Sequence, residues 1–144
     1  KNNLKMKTAG CDGCGEQLDT IDELFHQCNE EIKQDFRLRR WKWIKENIEH
    51  GLENSEIGIT INSRSYFSQN DFETVLERCE KYGAGIWGIE TWPNNEFFGC
   101  RVREEVEYAT DPLWYWKAYR YFVDLGVHRN FTCSFHITEE ILKK

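Results

Sequence analysis

Hydrophobic and polar positions change their period near Ser55. Before it, apolar residues recur three and four apart, as on one side of a helix. One stripe runs through Ile21, Leu24, Phe25, Cys28 and Ile32, and a second through Trp41, Ile44, Ile48 and Leu52. At about 100° per residue the two stripes fall on nearly opposite sides of a single straight helix. The pattern therefore predicts two helices with a break near residues 34–37. Thr20 and Glu23 form a capping box for the first, and Gly51 suits the left-handed position that closes the second.

Beyond Ser55, residues 56–62 alternate strictly, with Ile57, Ile59 and Ile61 on one side, as a strand requires. Asn70 and Glu73 form a capping box opening a helix that Gly83 ends. Residues 84–92 read as a strand stopped by Pro93, and residues 97–103 as its return after the turn-rich Trp-Pro-Asn-Asn-Glu. Thr110-Asp-Pro-Leu opens another helix, with Pro112 suited to its first position and Gly126 to its end. Phe131, Cys133, Phe135 and Ile137 then alternate with Thr132, Ser134, His136 and Thr138 in a last strand.

This β-α-β-β-α-β order resembles the ferredoxin-like split βαβ arrangement, an α+β fold whose antiparallel sheet carries two helices on one face. The expected organisation is one domain over residues 1–144: a Cys-containing segment and two helices in 1–54, then the βαββαβ core in 55–144. The resemblance is one of topology and implies no activity. Alternation leaves the second sheet face polar, with Thr60, Asn62, Arg101, Arg103, Thr132, Ser134, His136 and Thr138.

Composition narrows the class. The chain has 144 residues, and 15% of them are aromatic, including six Trp. Such a chain can bury a sizeable core and is not a disordered one. No apolar run is long enough to span a bilayer, and no segment near Lys1 has a signal peptide's hydrophobic stretch. Cys79, Cys100 and Cys133 fall in apolar phase, where a thiol packs as a small hydrophobe. A reducing, cytoplasmic location without membrane association is expected. The net charge of −6 opposes general nucleic-acid binding and favours a basic partner.

Candidate chemistry is sparse. Cys11 and Cys14, two residues apart and followed by Gly, can close on one zinc ion. His26 and Cys28 are the available second pair, but on a helix they point about 200° apart. Arg37, Arg39, Arg40 and Lys42 interleave with Trp41 and Trp43. With Arg101 and Arg103 on the sheet face, they form the nucleic-acid alternative, phosphates meeting cations and bases meeting indoles. His136-Ile-Thr138 matches one His-x-Thr element of two-histidine phosphoesterases, but His26, His50 and His128 have no Thr or Ser two residues on. One copy cannot supply both general acid and general base.

The helix beginning at Leu113 carries more aromatic side chains than one buried face needs. Trp114, Ala118, Tyr121, Phe122 and Leu125 make the expected core stripe. Tyr115, Trp116 and Tyr119 are left as candidate interface anchors, with Glu104, Glu105 and Glu107 as acidic neighbours. The expectation is a non-enzymatic protein-binding module that needs no cofactor. It would be an inhibitor, antitoxin or immunity protein neutralising a basic toxin or nuclease.

Overall fold

The computed structural model describes residues 9–10, 17–18, 30–52, 65–104 and 108–143. Their elements are β1 (Ala9–Gly10), β2 (Gln17–Leu18), α1 (Glu30–Trp43), α2 (Gln69–Tyr82), β3 (Gly85–Thr91), β4 (Gly99–Val102), α3 (Pro112–Asp124), β5 (Phe131–His136) and α4 (Glu139–Leu142). They belong to two compact units, Lys1–Asn47 with Ile137–Lys144, and Ile48–His136. The expected strand at residues 56–62, the capping box at Thr20 and all four candidate zinc ligands lie outside the described residues.

In the first unit, β1 and β2 form a two-residue antiparallel ladder. Helix α1 runs unbroken through residues 34–37, where the sequence pattern predicted a break. Of the first stripe only Ile32 is among the described residues, and it is exposed; of the second, Trp41 is exposed and Ile48 buried. Phe36, which belongs to neither stripe, is 1% exposed. A π turn, Ile44–Ile48, follows α1 instead. Its extra residue per turn shifts the helical phase, and Ile48 at its end is fully buried. Gly51 takes φ +77° soon afterwards. The short α4 went unseen in the sequence because Thr138 was assigned to a strand. Its hydroxyl instead caps α4, accepting from the Ile141 amide at 3.3 Å.

Among the described residues, the second unit is built on a three-stranded antiparallel sheet in the order β4-β3-β5. Ser68 caps α2, its Oγ accepting from the Asp71 amide at 3.2 Å, two residues before the expected cap. Gly83, at φ +76°, ends that helix as its sequence position implied. Asp111 caps α3 through the Leu113 amide at 2.9 Å, and Pro112 opens it.

Residues paired across antiparallel strands share a face. Ile89 stands between Cys133 and Arg101, and Thr91 between Phe131 and Gly99. That is the helix side. Phe131 stacks on Phe72 of α2 at 5.2 Å and meets Tyr119 of α3 at 5.3 Å. A Cβ on Gly99 would stand 3.1 Å from the Phe122 ring. A register shift between Ile86 and Gly88 keeps both Ile86 and Ile89 completely buried. The Trp114 indole anchors α3 to the sheet by donating to the Ile86 carbonyl at 3.0 Å.

The architecture is thus α+β with an antiparallel sheet, but its order departs from the ferredoxin-like one. That arrangement pairs the last strand with the first, whereas β5 here pairs with β3 along six residue partners, and β3 is central. The expected polar face changes as well. Arg101 belongs to the helix side, and Thr132 is 2% exposed. Ser134 and His136 remain half-buried on the other side, where Trp87 meets His136 at 4.6 Å.

Candidate functional site

The capped start of α3 fixes its rotation, and its inward positions are Trp114, Tyr115, Ala118, Tyr119 and Phe122. Two of the three expected interface anchors are therefore core residues. Tyr115 is fully buried, and burial pushes its phenol above the ordinary tyrosine range. Tyr119 is 2% exposed and donates to Glu73 Oε2 at 2.5 Å. Burial first, and that hydrogen bond second, hold its phenol protonated. Both are locked neutral inside the domain and cannot meet a partner.

Trp116 is the anchor that stays near the surface. Its indole donates to Glu80 Oε1 at 3.1 Å, its ring meets Tyr119 edge-on at 5.8 Å, and the Arg120 guanidinium lies 5.5 Å from it. Three directional contacts leave the half-buried ring pre-positioned. Around it stand residues the sequence stripe placed differently. Leu113 is 80% exposed, and Tyr121, assigned to the core, is 44% exposed. Leu125 is also exposed. The inward set was legible in principle, because Trp114, Ala118 and Phe122 recur at steps of four with Tyr115 and Tyr119 alongside. That ladder already fills one helical face, so Tyr121 had to turn outward.

Two depressions flank the outward side of α3. One, of about 690 Å³, is edged by Glu80, Leu113, Trp116, Lys117, Arg120, Tyr121 and Asp124. The other, of about 460 Å³, lies between α3 and β4 and includes Cys100, Arg101, Val102, Glu104, Trp114 and Lys117. Lys117 borders both. Arg101 stacks its guanidinium 4.3 Å from the Tyr121 ring. Among the described residues, no carboxylate forms an ion pair with Arg101, Lys117 or Arg120. These three cations share the two depressions with three carboxylates, Glu80, Glu104 and Asp124, so the lining is balanced in charge although the chain is not.

The Arg-Trp stretch is divided by its helix. Arg39 is held by both carboxylate oxygens of Glu139 at 2.9 Å each and by Asp35 at 3.0 Å. Its pKa is raised, chiefly by the Glu139 bond. Arg40 lies 5.4 Å from the buried Phe36 ring, and Trp43 is half-buried. Arg37, Trp41 and Lys42 are exposed, with Lys42 3.9 Å from Glu46. The predicted cluster is therefore not one surface. Arg101 and Arg103 are separated too, because Arg103 stacks on Trp87 at 4.7 Å.

Glu104 is exposed, while Glu105 and Glu107 lie outside the described residues. Cys11, Cys14, His26 and Cys28 lie outside them as well. Among the described residues no three His, Cys, Asp or Glu side chains gather as a metal site requires. None of the described helices is long and apolar enough to cross a membrane. No family model matches the sequence, and comparison with curated proteins and with solved structures returns no match.

Proposed function

We propose that the protein works by binding another protein on the outward side of α3. One observation carries this reading: Leu113 and Tyr121 are exposed beside a Trp116 ring held by Glu80, Arg120 and Tyr119. Large apolar and amphipathic side chains held in one conformation lose little entropy on contact, which is what interface anchors need. A passive docking face of this kind suits a protein that masks its target. Inhibitors, antitoxins and immunity proteins act in that way on toxins or nucleases.

A photo-reactive residue in place of Leu113 tests the reading. It should form one dominant cross-linked product in host cells, absent when the same group replaces the exposed Glu140. Leu113→Asp should weaken capture of that product's partner at least tenfold, about 1.4 kcal/mol. Equal cross-linking at both positions would overturn the proposal.

A second reading is supported by the exposure of Trp41 at 55%, beside Arg37 and Lys42. Together they could hold a base and adjacent phosphates of a single strand. An Arg37→Ala/Lys42→Ala protein should then lose affinity for single-stranded oligonucleotides and show a shallower salt dependence. Identical binding curves would exclude α1 as a nucleic-acid surface.

A further inference from the structure

We infer that Asn130 is an N-glycan acceptor only while the chain is unfolded, and that a glycan there and this fold exclude each other. Asn130-Phe131-Thr132 is an Asn-x-Thr triplet, and no other Asn of the sequence has Ser or Thr two residues on. Triplets of this kind are modified where they lie on surface loops. Here all three residues are inside the second unit: Asn130 is 4% exposed, Phe131 0% and Thr132 2%.

The atom that would carry the sugar is already committed. Asn130 Nδ2 donates to the Trp92 carbonyl at 2.8 Å and to Asn95 Oδ1 at 3.3 Å. A side-chain amide has two N–H hydrogens, and both are used. Transfer from a lipid-linked oligosaccharyl diphosphate would form an Nδ2–C1 bond as the C1–O bond to the diphosphate breaks, with one Nδ2 proton lost. The product keeps a single N–H. One of the two bonds is therefore lost, and a sugar ring has to enter where the β3–β4 turn stands.

The backbone around the amide is held as firmly. Asn130 takes φ +63°, and its carbonyl accepts from the Trp92 amide at 3.0 Å. Beside it, Arg129 Nε donates to the Pro93 carbonyl at 2.9 Å. Phe131 exchanges both backbone bonds with Phe67 at 2.9 Å and stacks on Phe72. Turning Asn130 outward thus means detaching the β3–β4 turn and the first residue of β5, not flipping one side chain.

Order of events then decides the outcome. Before β5 joins β3 the triplet is open to a glycosyl transferase, and afterwards it is closed. A chain entering a compartment with N-glycan transfer divides between bare molecules that fold and glycosylated ones that do not. The fold suits a compartment without that chemistry.

Expression of the whole chain behind a cleavable secretion signal in cultured mammalian cells tests this. Phe72→Ala serves as a variant that opens the packing beneath Phe131 and leaves the triplet intact. It should gain one glycan, seen as a mobility shift that peptide-N-glycosidase reverses, and mass spectrometry should place it on Asn130. Wild-type molecules that resist limited proteolysis should be bare, and any that carry the glycan should be cleaved at least tenfold faster. Should Phe72→Ala prove as protease-resistant as the wild type, the more disruptive Phe72→Asp takes its place. A protease-resistant protein with the glycan on Asn130 would overturn the exclusion. Opened chains that stay bare would overturn the acceptor assignment, since an accessible triplet would then be ignored.

Discussion

Tyr115 and Tyr119 are four residues apart on one helix, both buried, yet their hydroxyls have opposite circumstances. The Tyr119 hydroxyl donates to Glu73, whereas the Tyr115 hydroxyl is buried without a hydrogen-bond partner among the described residues. Removing a satisfied bond to a carboxylate costs more than a neutral bond, while removing an unsatisfied hydroxyl relieves a desolvation cost. Tyr119→Phe should therefore destabilise the domain by about 1–2 kcal/mol, and Tyr115→Phe should be neutral or stabilising by up to about 1 kcal/mol. Urea unfolding of the two variants distinguishes them, and a loss in both of equal size would contradict the assignment. The same burial sets an alkaline limit. Cys79, Tyr115 and Tyr119 all have raised pKa values in the fold, burial being the largest cause. Above the unfolded values the native state holds protons that the unfolded chain has lost, so stability falls as pH rises. The decline should begin near about pH 8.5 with the thiol and steepen near about pH 10 with the phenols. Cys79→Ala should remove the first part of the slope, which stability measured from pH 7 to 11 would show.

At the scale of elements, local chemistry was legible and long-range pairing was not. Helices α2 and α3 announce themselves through Gly83, Asp111, Pro112 and Gly126, whose backbone demands are satisfied within a few residues. The Trp-Pro-Asn-Asn turn likewise fixes the β3–β4 hairpin. Nothing comparable tells β5 which strand to join, because its alternation suits an edge of either neighbour. Helix α1 shows another limit. Its apolar side chains occupy several sides, so periodicity could not say that Phe36 goes in and Trp41 stays out. The proposed docking face was half legible for the same reason: surplus aromatic residues on α3 were evident, but their sorting depends on α2 and the sheet packed against it. Capping offers a direct test of a shifted boundary. Ser68, not Asn70, accepts from a first-turn amide of α2. Ser68→Ala should cost about 1 kcal/mol, whereas Asn70→Ala should stay within about 0.5 kcal/mol. A larger loss at Asn70 would restore the boundary expected from the capping box.

For the whole molecule, net and local charge act at different ranges. At a distance a partner meets a chain of net charge −6. Close to α3 it meets Arg101, Lys117 and Arg120 interspersed with Glu80, Glu104 and Asp124, an even balance of signs. The far field should therefore steer a basic partner, while the contacts at the proposed face carry little charge preference of their own. Salt separates the two, because the screening length is about 30 Å at 0.01 M and about 8 Å at physiological ionic strength. Association of the partner captured from position 113 should slow as salt rises, and its dissociation should change little over the same range. Stopped-flow fluorescence across this range measures both, with Trp116 as a reporter inside the proposed face. Lys117→Ala/Arg120→Ala makes the chain more acidic and should quicken association with a basic partner at low salt. A rate independent of salt would mean that the far field does not steer this partner, and the expectation of a basic partner would fall with it.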